Sequence, residues 1–271
     1  MRGCGFSQAR PDRPMKPTHI HTEADLDTAL AALAAADSRF AGLLVAAGRP
    51  PLRRRQGGYA GLAAIIVSQQ LSTASAAAIW GRLSATFDPL DPAAILRARP
   101  ARLARLGLSA PKIRALKAIA RAVDGGQLAL AALADGAADD AHAALTAIHG
   151  IGPWTADIYL LSCLGHADAW PAGDLALQEA ARVAFALPLR PSAKEMVALA
   201  ESWRPWRAVA ARILWSYYRT ATAKRAEPGG AVSPAKTAKP KAPVTARPKS
   251  RGSADGNRRK TRSGRAPARG R

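Results

Sequence analysis

The stretch Leu145-Thr146-Ala147-Ile148-His149-Gly150-Ile151-Gly152-Pro153-Trp154-Thr155-Ala156-Asp157 decides the fold. A helical pattern runs up to Ile148, two glycines two residues apart turn the chain, and Pro153 opens the next helix. Glycine tolerates the positive φ and close approach that so tight a reversal demands. Proline fits a first helical position because the missing N–H would have had no partner there. The second helix therefore begins on free N–H groups and the positive end of its dipole, which suits a phosphate oxygen. A lone Gly-x-Gly is usually only a helix connection; the pattern that follows at fixed distance gives this one its weight.

Outward from the hairpin, a 3.6-residue apolar rhythm fills residues 24–220. Leu26, Leu30, Leu33, Phe40 and Leu44 predict a helix ending at Gly48, and a second long helix is predicted from Tyr59 to Phe87. Asp91-Pro92 and Arg99-Pro100 read as helix starts, and Ser109 opens a helix that stops at Gly125-Gly126. Ser192-Ala193-Lys194-Glu195 fits a capping box, and Pro205 begins a last helix. No alternating β pattern of useful length interrupts them, so the fold class is all-α. Asp174 follows a Pro-Ala-Gly loop and precedes a helical pattern. Its position alone leaves an ordinary N-cap and a functional carboxylate equally open.

The chain has 271 residues, with 40 Lys and Arg against 19 Asp and Glu, a net charge of +21. Such a balance makes a polyanion the default partner, nucleic acid ahead of a membrane surface. Residues 1–220 hold 25 bases and 17 acids, whereas 221–271 hold fifteen bases against Glu227 and Asp255. That tail is studded with proline and glycine and has almost nothing to bury, so it reads as a disordered basic arm. Residues 1–15 form a shorter N-terminal extension, with Met15 just ahead of the domain at 16–220. No apolar stretch reaches the roughly 18 residues of a membrane span, and no h-region marks a secretory signal. Two cysteines, Cys4 and Cys163, cannot build a disulfide framework, a four-thiolate zinc site or a Cys-ligated iron–sulfur cluster. A cytoplasmic, nucleoid-associated protein is expected.

Four motifs in order resemble the helix-hairpin-helix (HhH-GPD) DNA glycosylase superfamily, specifically its 3-methyladenine DNA glycosylase II branch. They are Ser68-Gln69-Gln70-Leu71-Ser72, the hairpin, Trp170-Pro171-Ala172-Gly173-Asp174-Leu175-Ala176-Leu177, and Trp203-Arg204-Pro205-Trp206-Arg207 continuing to Leu214-Trp215. The resemblance implies a compact two-lobed helical domain that flips alkylated bases out of double-stranded DNA. It would excise 3-methyladenine, with 7-methylguanine beside it, and leave an abasic site. Asp174 is then the catalytic carboxylate, with Asp157 as its rival, and Trp154 and Trp215 line the base pocket. Gly150, Gly152 and Thr155 grip DNA with Gln69, Gln70, Leu71 and Ser72, the last segment supplying the plug that replaces the flipped base. The carbonyls of Thr146, Ile148 and Ile151 match positions that hold a monovalent cation, Na+ or K+; no cofactor is required, and a monomer is expected.

The chemistry agrees with that assignment. Breaking an N-glycosidic bond builds positive charge on the sugar, and a fixed carboxylate stabilises that cation and orients water. Bifunctional relatives carry a nucleophilic lysine where this chain has Trp154, so strand cleavage through a Schiff base is not expected. That substitution argues against a glycosylase for oxidised bases, and Asp174 argues against a non-catalytic DNA binder. Aromatic faces attract a cationic alkylated purine by about 1–2 kcal/mol in a dry pocket. Ile158 stands where some relatives place a pocket tyrosine.

Overall fold

The computed structural model describes residues 19–226. Among them the chain forms α1 (Glu23–Ala36), α2 (Arg39–Ala47), α3 (Gly58–Ser68), α4 (Thr73–Thr86), α5 (Pro92–Arg97), α6 (Pro100–Arg105) and α7 (Ala110–Asp124). The hairpin helices α8 (Ala138–Thr146) and α9 (Pro153–Tyr159) follow, then α10 (Leu175–Ala184), α11 (Ala193–Ala200) and α12 (Arg207–Ala226). The described residues contain no strand, only an isolated bridge between His19 and His166.

Two of the long helices expected from the apolar rhythm are each a pair. The first breaks at Asp37, whose carboxylate accepts the backbone N–H of Arg39 at 3.1 Å and the indole N–H of Trp203 at 3.0 Å. A short polar side chain that bonds its own backbone competes with the helix ladder. The second breaks between Ser68 and Thr73, where Gln70 takes φ +55° and Ser72 caps α4 by accepting the Ser75 N–H at 3.2 Å. The last helix starts at Arg207, two residues past Pro205, and continues to Ala226, beyond the boundary expected at Thr220. Residues 1–18, with the N-terminal extension, and 227–271, with most of the basic tail, lie outside the described residues.

The helices pack in two groups. In one, α12 lies against α10, α2 and α1; in the other, α7 lies against α5, α6 and α3, and α3 also meets α4 and α9. Leu62, Ile65, Leu116, Ile119, Ile213, Leu214 and Trp203 are fully buried in the shared core. Each such side chain contributes about 1.5–3 kcal/mol. After α9 the chain widens into a π-helical turn, Leu160–Leu164, which ends at Gly165 with φ +82°. Its freed carbonyls are taken by arginines: Cys163 accepts from Arg54 at 2.9 Å and Leu161 from Arg212 at 3.2 Å.

Candidate active site

Asp174 is the N-cap of α10: its Oδ1 accepts the Leu177 N–H at 2.8 Å. Its backbone N–H donates to Pro171 at 2.9 Å, and the buried Gln178 amide donates to the Ala172 carbonyl at 2.9 Å, so the Pro-Ala-Gly loop is fixed from both sides. Two further donors reach the carboxylate from other helices. Trp154 Nε1 of α9 donates to Oδ2 at 2.8 Å, and Trp215 Nε1 of α12 donates to Oδ1 at 3.2 Å. A carboxylate offers about four acceptor positions. Three are occupied here, which fixes its orientation and leaves capacity for one more partner. The cap and the functional carboxylate, alternatives in sequence, are the same side chain in the structure. The second role of the tryptophans, holding Asp174 through their N–H groups, was not legible from their aromatic character.

Both indoles also wall a cavity of about 480 Å³, with Ile158, Leu161, Ala176 and Tyr218 as apolar lining. Arg53, Arg55, Arg212 and Arg219 line it as well, and among the described residues no carboxylate belongs to the lining. Sequence reading missed these arginines; the run Arg53-Arg54-Arg55 just ahead of α3 was the available signal. Arg212 is buried, donates to the carbonyls of Leu52 and Leu161, and keeps its Nε without a protein partner. Burial, with Arg54 nearby, pushes its guanidinium down to about 10 against the pull of Glu23.

The hairpin and the turn between α3 and α4 are joined. Gln69 Nε2 donates to the Thr155 hydroxyl at 2.7 Å. Lys112 of α7 secures the turn by donating to the carbonyls of Val67 and Gln69 at 2.7 and 2.9 Å. Gln70 and Leu71 are exposed at its tip, Leu71 by 38%. Ser72 is occupied in capping, and Ile151 N–H donates to the Ile148 carbonyl at 3.0 Å across the hairpin turn.

Asp157, the rival carboxylate, is buried, with its Oδ1 3.6 Å from His142 Nε2 of α8. Removal from water pushes its carboxyl up to about 8, assisted by Asp139 and opposed by Arg207. It is therefore mostly neutral at pH 7 and supplies no fixed negative charge. A carboxyl raised by folding contributes stability that is full below about pH 4 and is lost as pH climbs through about 8. In melting temperature measured across that interval, Asp157→Asn should remove this loss relative to the wild type and be the more stable protein at pH 8–9. Parallel profiles for the two proteins would contradict the buried neutral carboxyl.

Known proteins point the same way. Residues 63–205 match the model of the HhH-GPD superfamily base excision DNA repair proteins. The probable bifunctional transcriptional activator/DNA repair enzyme AlkA of Mycobacterium tuberculosis is 33% identical over 161 residues, covering 56% of this chain and 32% of that protein. The chain thus spans about a third of that relative's length. The 3-methyladenine DNA glycosylase of Schizosaccharomyces pombe, solved in complex with abasic DNA, superposes with a TM-score of 0.62 at 29% identity, over 69% of this chain and 95% of that one. The DNA-3-methyladenine glycosidase of Bacillus halodurans superposes with a TM-score of 0.66 at 29% identity, over 72% of this chain and 91% of that one.

Proposed function

Because the chain belongs to the HhH-GPD superfamily of base excision DNA repair proteins, we propose that it is a monofunctional DNA glycosylase. It excises alkylated bases, 3-methyladenine and with it 7-methylguanine, from double-stranded DNA and leaves an abasic site. The observation that carries this reading is the Asp174 carboxylate, held by Trp154 and Trp215, whose indoles also wall a cavity lined by apolar side chains and arginines. The flipped base enters between the indoles. The C1′–N bond breaks with its electron pair leaving on the base, Asp174 faces the cation that forms on the sugar, and water adds to C1′, giving its proton to Asp174 and on to solvent. The arginines of the lining offer hydrogen bonds to acceptor atoms of the base and to the phosphates beside it.

Gln69 is already bonded to Thr155, so the plug falls to Gln70 and Leu71 at the exposed tip of the turn. Gly150, Gly152 and the start of α9 grip a phosphate. The neutral carbonyl oxygens of Thr146, Ile148 and Ile151 suit a monovalent cation, Na+ or K+, and the Ile148 oxygen keeps a second lone pair after accepting from Ile151. The chain acts as a monomer at the nucleoid; no helix of the described residues is long and apolar enough to cross a membrane.

Incubation with methylated duplex DNA tests the activity. Free methylated purines, abasic sites and an unbroken strand are expected. A covalent adduct trapped by borohydride would overturn the monofunctional assignment, and no base release at all would leave only a DNA-binding protein.

The basic tail adds affinity without chemistry. Deleting residues 227–271, beyond the end of α12, removes thirteen cationic side chains. The log–log salt slope on B-DNA falls in magnitude by about 0.9 for every phosphate that is no longer neutralised. A fall of a few units is expected, because only some of the thirteen can touch DNA at once. Excision at saturating enzyme should stay nearly unchanged. An unchanged slope would show that the tail does not touch the phosphates.

A further inference from the structure

Residues 92–123 carry eight Lys and Arg and not one Asp or Glu. Residues 1–220 as a whole hold 25 bases and 17 acids, so this one stretch equals their entire net charge. It folds as α5, α6 and α7, with α5 and α6 each packed on α7. Elsewhere in the described residues Arg39, Arg49, Arg182, Arg204 and Arg207 are tied to carboxylates. By contrast, no ion pair among the described residues involves Arg97, Arg99, Arg105, Arg114 or Arg121. Unpaired charges of one sign kept together repel each other, and a polyanion removes that repulsion.

The placement says which polyanion. A groove of about 540 Å³ runs beside α7, lined by Arg114, Lys117, Arg121 and by His149 of the hairpin turn. Pro100 at the start of α6 also lines it. The neighbouring residues Arg97, Arg99, Arg102 and Arg105 wall a second depression of about 380 Å³. Ala98 and Ala101 are the other residues of its lining. The hairpin itself rests on α7, because Gly150 approaches Ala115 so closely that a Cβ there would lie 2.6 Å from the Ala115 Cβ. At the start of the same helix Lys112 holds the turn that carries Gln70 and Leu71. The basic row thus leaves directly from the two loops assigned to the lesion. Arg114 and Arg121 are two helical turns apart, about 10 Å, and a duplex strand carries a phosphate every 3.4 Å or so of axis.

We infer that α5–α7 form a second phosphate-binding track, continuous with the hairpin, that holds the duplex flanking the lesion. This rests on the reading of the hairpin as a DNA contact. It adds phosphate interactions that hairpin and plug do not make, independent of the base being removed. Guanidinium groups suit this role because their fork matches two phosphate oxygens at once.

The test uses the full chain and an undamaged duplex, with binding measured across a salt series. Arg114→Ala/Arg121→Ala and Arg99→Ala/Arg105→Ala should each reduce the magnitude of the log–log slope by up to about 2, at about 0.9 per phosphate. The four changes together should remove the sum, with the circular dichroism spectrum of the wild type. The same positions changed to lysine should keep the slope. An unchanged slope in the folded fourfold alanine variant overturns the track, as does a lysine variant that loses as much as alanine. If no variant, the wild type included, releases a base while the slopes still fall, the track stands and the glycosylase assignment fails.

Discussion

Replacing Asp174 by asparagine should slow single-turnover base release by about 10²–10³-fold, the range seen when one preorganised electrostatic group is removed from a transition state. The amide oxygen can still accept the Leu177 N–H and the Trp215 indole, both of which meet Oδ1. The amide nitrogen then takes the place of Oδ2 and points its protons at the Trp154 indole N–H, which donated to that oxygen at 2.8 Å. One half-buried donor loses its acceptor, at about 1 kcal/mol of stability. The variant should therefore fold, bind DNA and melt somewhat earlier. Adding Trp154→Phe removes the orphaned donor and should restore part of the stability without restoring the rate. That separates the structural cost of the substitution from the missing charge. Asp157 cannot substitute, since burial keeps it mostly neutral at pH 7. Base release at the wild-type rate by Asp174→Asn would mean that another group faces the sugar cation.

What was legible in sequence was what is local. The Pro-Ala-Gly loop before a helical pattern placed Asp174 at a helix start, and Gly-x-Gly-Pro placed the hairpin. Apolar spacing alone carried two helices through Asp37 and through Gln69–Ser72, because periodicity counts what is buried and not what a polar side chain does to the backbone. The Ser72-Thr73 cap was there to be read and was outweighed by the apolar rhythm on either side. The union of Trp154 and Trp215 on one carboxylate could not be read. It depends on α9, α10 and α12 meeting at residues 20 and 41 positions apart in the chain. Arg212 gave no sign either: Val209, Ile213 and Leu214 surround it with a core pattern. Its burial against Leu52 and the π-helical turn is a product of packing.

The two hairpin glycines look alike in sequence, and the structure gives them different tasks. Gly150 has φ +92°, and a Cβ there would meet the Ala115 Cβ at 2.6 Å and its Cα at 2.9 Å. Gly150→Ala must therefore strain the backbone or push the hairpin off α7. Left-handed strain and overpacking together cost about 2–5 kcal/mol, a fall of roughly 5–15 °C in Tm for a domain of this size. Gly152 has φ −85°, within reach of any residue, and a Cβ there meets nothing within 4 Å. Gly152→Ala should change stability by no more than about 1 kcal/mol, since alanine is only a poorer N-cap. Its methyl group would stand in the open space before the first N–H groups of α9, where a phosphate oxygen has to approach. Thermal melting and duplex binding, measured side by side, should show Gly150→Ala losing stability and Gly152→Ala losing affinity at nearly constant Tm. Gly152→Ala binding DNA as tightly as the wild type would show that no phosphate approaches α9 at that point. The hairpin would then be only a joint between helices, and the grip on DNA would have to come from the arginines of α5–α7.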